Sequence, residues 1–356
     1  MIDLRSDLLS RPSPAMRRAI VAALERPAAF GLREDADQRA LERAVADRLG
    51  TEDALLFPTC SMANEAALLA LTRPGDLVLA QPDVHLLTSE AGAPAALAGV
   101  QIVAVDAVDC CPPADAWRAR LVPVDDPLKA RVAAVALENT HNRAGGLAWA
   151  PAYGAAVLAA ARAHGVAAHL DGSRLPNAAV ALGVAPDALA AGFDTVALSL
   201  NKGLGAPLGA ALAGRGTTIA RALALRQRLG GGWRPTALVA APARVALEED
   251  WAHIADDHRR ASRLAAALAA TPGLLLDATR VTTNIVVADL AGDLAADADA
   301  VVVALADAGV LALAFGPRRL RFVTYRGLTD DDVDRAAAAA GRALARFDPI
   351  SRAVTR

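Results

Sequence analysis

Apolar positions along the chain switch repeatedly between two spacings. PAMRRAIVAALE (14–25) and DQRALERAVADRLG (37–50) repeat apolar residues every three or four positions, the period of one face of an amphipathic helix. SMANEAALLAL (61–71) and AYGAAVLAAARAHG (152–165) also predict helices. Around them lie short, nearly continuous apolar runs: ALLFP (54–58), DLVLA (76–80), QIVAVD (101–106), RVAAVALE (131–138), VAAHLD (166–171), DTVALSL (194–200) and GAALAG (209–214). Such runs linked by helices predict a parallel or mixed sheet covered on both faces. Beyond about residue 240 the pattern changes. Long Ala/Arg/Leu helices (240–270) lead to TRVTTNIVVADL, an apolar run at 308–315, RLRFVTYR and a terminal helix from 329 to about 347. The expectation is an α/β protein with a large domain over 1–245, N-terminal segment included, and a smaller C-terminal α+β domain over 246–356.

Composition narrows the class. Hydrophobic residues make up 54% of the 356 and charged residues 21%, which excludes a disordered chain. With 37 basic and 39 acidic residues the net charge is -2, so no bulk electrostatic case exists for nucleic acid or an anionic membrane. The longest apolar candidate, VVVALADAGVLALAFG at 301–316, is interrupted by Asp307 and reads as buried core rather than a membrane span. Asp3, Arg5 and Asp7 stand where a secretory signal needs an apolar run. Cys60, Cys110 and Cys111 give no paired framework, so a cytoplasmic location is expected. No CxxC or HExxH spacing suggests a metal. The basic residues are unusual in kind: only Lys129 and Lys202 are lysines. Arginine is permanently charged, whereas lysine can lose its proton and act as a nucleophile.

In α/β sheets, ligands bind at the carboxyl ends of strands. The run at 166–171 ends in HLDGSRLPNA, with His169, Asp171 and Arg174; its neighbour ends in SLNKGLGAPLG, with Lys202; the run at 131–138 leads into ENTHNRAGG. The run at 54–58 ends in PTCSMAN, a small-residue turn opening a helix and a natural phosphate seat. An acid at one strand end, a lysine about 30 residues later at another, and a phosphate turn together describe a site for pyridoxal 5'-phosphate. DLRSDLLSRPSPAMR (3–17), LENTHNRAGG (137–146), HLDGSRLPNAAVALG (169–183), NKGLGAPLG (201–209), LGGGWR (229–234) and RFVTYRGLTDDDV (321–333) spread over nearly the whole chain. On these stretches the sequence resembles the low-specificity L-threonine aldolases, in the β-eliminating lyase branch of fold-type I pyridoxal phosphate enzymes.

The resemblance implies roles for named residues. Lys202 would carry the cofactor covalently and Asp171 would pair with its pyridine nitrogen. His85, in PDVHLLTSEAG, would stack on the ring and relay the proton of the substrate hydroxyl. Thr59, Cys60 and Ser61 would contact the phosphate, mostly through backbone amides, with Arg234 adding charge from a neighbouring subunit. Ser6, Arg174 and Arg321 would hold the substrate carboxylate. Glu138 and His141 would shape the cofactor surroundings, and His169 would support Asp171. The implied reaction cleaves L-threonine, L-allo-threonine or a related β-hydroxy-α-amino acid to glycine and an aldehyde, in a homodimer or homotetramer with shared sites. Departures from the family pattern gather at the substrate mouth and around the cofactor: Phe30 for tyrosine, Cys60 for glycine, Asn201 for serine, Trp233 and Pro235 around Arg234, Tyr325 for histidine, and Leu128 where some relatives carry a histidine. They point to a substrate other than threonine, a bulkier one among the candidates. Two other readings stay open on sequence alone: β-elimination, racemisation or transamination on the same fold, and a non-catalytic binding protein.

Overall fold

The computed structural model describes residues 1–121, 127–249 and 251–347. The chain divides into two compact units, one of Arg11–Ala144 and Ala148–Asp250, the other of Met1–Ser10, Gly145–Leu147 and the residues from Trp251 onward.

All seven apolar runs read from the first 214 residues are strands of one sheet in the larger unit. They are β1 Asp53–Phe57, β2 Leu77–Ala80, β3 Gln101–Ala104, β4 Val132–Glu138, β5 Ala167–Gly172, β6 Thr195–Ser199 and β7 Ala210–Gly214. Their order across the sheet is β1-β7-β6-β5-β4-β2-β3. The sheet is mixed: β7 runs antiparallel to both neighbours, and the remaining pairs are parallel. Residues 200–209, between β6 and β7, are too few for the crossover that a parallel return needs, so the chain reverses. That reversal carries Lys202.

The strand directions bring five chain segments to one edge. β2, β4, β5 and β6 are mutually parallel, and β1, twice reversed through β7, points the same way. Helices α1 Pro14–Leu24, α2 Ala36–Leu49, α3 Cys60–Leu71 and α4 His85–Thr88 follow the first strands or precede them. Ala63, Ala66 and Ala67 of α3 pack on Leu55 and Phe57 of β1 and Leu212 of β7. Small side chains let α3 approach the sheet closely, which fixes its first turn at the strand ends. Gly172 is required by the same closeness: a Cβ there would lie 2.8 Å from the Ala197 carbonyl oxygen on β6.

In the smaller unit, Leu313–Gly316, Arg319–Val323, Ile285–Leu290 and Leu274–Leu275 form an antiparallel sheet in that order. The apolar run expected at 308–315 is therefore two short strands rather than one: Val310–Leu311 instead pairs parallel with Ile2–Asp3. That pairing is why the N-terminal segment clusters with this unit rather than with the larger one. Helices Ala252–Ala269, Ala298–Asp307 and Asp330–Ala345 cover the sheet, with Leu264, Leu268, Val286, Phe322 and Val333 in the core. Residues 301–316 form a helix end followed by short strands and are only partly core, with Val303 63% exposed, and no helix among the described residues is long and apolar enough to cross a membrane.

Candidate active site

Asp171 occupies the last turn-facing position of β5, 3% exposed, opposite Glu138 of β4 in the strand register. Its Oδ1 accepts the Ser173 amide at 3.0 Å, and its Oδ2 accepts Asn64 Nδ2 at 2.9 Å. The Lys202 amine donates to the Ser173 hydroxyl at 2.9 Å. Ser173 thus ties the lysine to the carboxylate through one residue. The turn after Lys202 is fixed by packing, since a Cβ at Gly203 would lie 2.7 Å from Asn177 Oδ1. Burial alone would raise the Asp171 carboxyl, but the charges of His85 and Lys202 and the Asn64 hydrogen bond outweigh it, and the group is held below the usual carboxylate range.

Asn64 is the junction of the cluster. It sits four residues after Cys60 on α3, so both side chains leave the same helix face. Besides Asp171, its Nδ2 donates to Glu90 Oε1 at 2.9 Å, while its Oδ1 meets His169 Nε2 at 3.0 Å. An amide oxygen only accepts, so His169 carries its proton on Nε2 and takes the Thr195 hydroxyl, 2.9 Å away, on Nδ1. Burial pulls His169 down to about 4. It is a neutral support for Asp171 by way of Asn64, not a base.

His85 opens α4, and its position is set from two sides. Its backbone amide donates to Glu138 Oε2 at 2.6 Å, and its Nδ1 lies 2.8 Å from Glu90 Oε1. Burial pulls its pKa down, but the Glu90 hydrogen bond and the charges of Asp171 and Glu90 more than offset this and raise it. Glu138 Oε1 also accepts the Asn142 amide at 2.8 Å, so this carboxylate orders both the His85 turn and the loop after β4. His141 bonds the Pro82 carbonyl at 2.8 Å and receives the Ala144 amide at 3.3 Å, which gives it a loop-fastening role. His85, Glu90 and Asp171 offer one donor atom each within 4.8 Å of one another.

Thr59 caps α3, its side chain accepting the Met62 amide at 3.2 Å. The Cys60 and Ser61 amides belong to the first helical turn, where no intrahelical acceptor exists and no acidic residue stands. The Cys60 side chain turns inward, its sulfur 4.0 Å from Asp171 Oδ1; burial first and then the Asp171 charge push the thiol well up. Arg174 is buried at the start of the helix Leu175–Leu182. Arg234 is exposed, donates to the Phe30 and Gly232 carbonyls and lies 5.6 Å over the Phe30 ring, so its contacts within one chain lead away from the cluster. Ser6 and Arg321 belong to the smaller unit: Ser6 caps a short turn by accepting the Leu8 amide, and Arg321, buried, donates to the Arg5 carbonyl at 3.0 Å and stacks on Phe315.

The structure brings Asp171, Lys202, His85 and the α3 turn into one cluster, together with Asn64, Glu90 and Ser173, which the sequence reading did not name. A signal for Asn64 existed in its four-residue spacing from the phosphate turn. The family model described as beta-eliminating lyase matches residues 3–291. The chain is similar to low-specificity L-threonine aldolase 1 of Arabidopsis thaliana, 31% identical over 99% of this chain and 98% of that protein. It is similar to the low specificity L-threonine aldolase of Escherichia coli (strain K12), 35% identical over 74% of this chain and 78% of that one. Among solved structures, a threonine aldolase of Leishmania major superposes with a TM-score of 0.82 at 18% identity, covering 97% of this chain and 100% of that one, a likeness of fold.

Proposed function

The chain belongs to the beta-eliminating lyase family, on its low-specificity L-threonine aldolase branch, and on that premise we propose that it binds pyridoxal 5'-phosphate and cleaves a β-hydroxy-α-amino acid to glycine and an aldehyde. One observation carries the reading. The Lys202 amine and the Asp171 carboxylate are joined through Ser173, at 2.9 and 3.0 Å, on the edge where the parallel strands end.

The donor set fits this cofactor. Lys202 would hold its aldehyde carbon, Asp171 its pyridine nitrogen, and the Cys60 and Ser61 amides its phosphate, with Thr59 ordering that turn and His85 lying against the ring. Bound there, pyridoxal phosphate supplies a ring that accepts the electron pair of the bond broken at the substrate α-carbon. The remaining work falls to this chain. Asp171, held ionised, would keep a proton on that nitrogen. His85, tied to Glu90 through Nδ1, takes the β-hydroxyl proton on its other ring nitrogen as the Cα–Cβ bond breaks. Arg174, Ser6 and Arg321 are assigned to the substrate carboxylate; an arginine fork grips both oxygens and so selects which bond is aligned for cleavage.

Arg234, exposed on its own chain, is assigned to the phosphate in a neighbouring subunit, which makes the working form a homodimer or homotetramer. The reading includes a cytoplasmic enzyme whose cofactor is held by the larger unit, Arg11–Ala144 and Ala148–Asp250, rather than by a domain over all of 1–245. The departures at the mouth lead us to propose a bulkier substrate than threonine. The test is a product assay of the purified protein with L-threonine, L-allo-threonine and phenylserine. Glycine and the matching aldehyde in equal amounts support the reading, with phenylserine giving the highest kcat/KM. Ammonia and a keto acid without glycine would overturn it. Borohydride reduction should fix cofactor on the Lys202 peptide of the wild type and none in Lys202→Ala.

A further inference from the structure

One buried acid beside the site has no part in the chemistry above. Glu65 lies on α3 next to Asn64 and is 3% exposed, and neither of its carboxyl oxygens meets a hydrogen-bond donor among the described residues. Glu90 Oε2 is in the same condition, whereas Glu90 Oε1 takes both Asn64 Nδ2 and His85 Nδ1. Glu90 is the group whose charge and side-chain hydrogen bond act on Glu65. Ionised carboxylates only accept, so as two anions they leave buried oxygens facing one another unbonded, an arrangement proteins avoid. A single proton on Glu65 removes the deficit, because its O–H then donates to Glu90.

We propose that Glu65 is a positioning residue for the reaction: its protonated carboxyl donates to Glu90 and so keeps Glu90 aimed at His85 Nδ1. The proposal rests on the aldolase reading, in which His85 moves the substrate proton. Burial, then the Glu90 charge and hydrogen bond, raise Glu65 to about 8, in keeping with a carboxyl that stays protonated at neutral pH. Glu90 is the charged group facing Glu65. Beyond it, Glu90 faces His85 on α4 and its charge reaches Cys60 on α3, which Glu138 on β4, Asp171 on β5 and Lys202 after β6 also reach; His169 on β5 acts on Asp171. Above its pKa Glu65 becomes a second anion against Glu90, the shared proton is lost, and Glu90 keeps only the bonds of Oε1 to Asn64 and His85 while Oε2 is left without a donor.

The full-length protein labelled with carbon-13 at the glutamate carboxyls reads the pair directly. One glutamate signal should titrate near pH 8 and be missing from Glu65→Gln; no glutamate titrating above pH 6 would overturn the proposal. Turnover of whichever substrate the product assay selects reads its consequence. Glu65→Gln, whose amide also donates, should keep kcat within about twofold at pH 7, while Glu65→Leu should lose about tenfold in kcat at unchanged KM, the equivalent of one hydrogen bond. Wild-type kcat should fall above pH 8 and that of Glu65→Gln should not. Equal kcat in Glu65→Leu and wild type would overturn the positioning role. If no β-hydroxy amino acid is cleaved, the aldolase reading fails on its own, and the carboxyl titration still decides whether Glu65 carries the proton.

Discussion

Replacing Asn64 by alanine removes the side chain on which three buried groups converge. Asn64 is 1% exposed, with Nδ2 at 2.9 Å from both Asp171 Oδ2 and Glu90 Oε1 and Oδ1 at 3.0 Å from His169 Nε2. Two of these hydrogen bonds end on carboxylates, where the net contribution is about 1.5–3 kcal/mol each, against about 1 for the neutral bond to histidine. Each partner keeps at least one other contact, among them Ser173 for Asp171, His85 for Glu90 and Thr195 for His169. No partner is stranded completely, so the expected loss is about 3–5 kcal/mol, short of breaking a buried ion pair outright. Urea unfolding of wild type and variant, followed by circular dichroism at one pH, measures it. Asn64→Asp sharpens the reasoning. It sets a third carboxylate against Asp171 and Glu90, so its own pKa is raised in the folded state. Its loss should therefore exceed that of Asn64→Ala at pH 8 and shrink toward pH 5.5, as the new acid regains a proton it can donate. A loss below about 1 kcal/mol for Asn64→Ala, or equal losses for both variants at every pH, would refute the hub assignment.

Other perturbations follow from the same geometry. Gly172→Ala forces a Cβ to within 2.8 Å of the Ala197 carbonyl, so thermal melting should show a loss of about 1–3 kcal/mol. His169 has a folded pKa of about 4 against 6.5 unfolded, so the stability it secures is complete above pH 6.5 and is lost as pH falls toward 4; His169→Gln should abolish an acid-side slope worth up to about 3 kcal/mol in urea titrations. Glu65 behaves in the opposite sense. Its folded carboxyl titrates near 8 against 4.5 unfolded, so wild type should lose stability relative to Glu65→Gln as pH rises from 4.5 to 8, reaching about 3 kcal/mol at pH 7 by the same measurement.

The seven strands were legible because buried parallel strands need continuous apolar runs, and every such run found a place in the sheet. Asp171 and Lys202 were legible for a related reason: a charged residue directly after an apolar run must leave the sheet at its end, and parallel strands end together. Asn64, Glu65 and Glu90 were not, because no strand delivers them. Asn64 and Glu65 lie one turn inside α3, where the pattern reads as an ordinary helix, and the closeness of Asn64 to β5 depends on the alanine face that seats α3 on the sheet. Glu90 follows a four-residue helix too short to leave a period in the sequence. Within its own chain Arg234 contacts Phe30 and Gly232, so its assignment to the phosphate is proposed across subunits.

The scarcity of lysine gains a physical meaning from the site. Elsewhere in this chain arginine meets acids as a two-pronged clamp, as with Arg33 on Asp53, Arg263 on Asp334 and Arg319 on Asp289. A guanidinium at position 202 would find the Asp171 carboxylate within the same cluster and lock onto it by its fork, with no means of losing its charge. Asp171 would then be spent on an internal ion pair, and no nucleophile would remain. The lysine amine does neither: it rests on the neutral Ser173 hydroxyl, and Asp171 is held by the Ser173 amide and Asn64. Lys129, exposed in a loop, meets no such demand. Where the chain favours arginine over lysine throughout, the role proposed for Lys202 is one that a guanidinium would not fill.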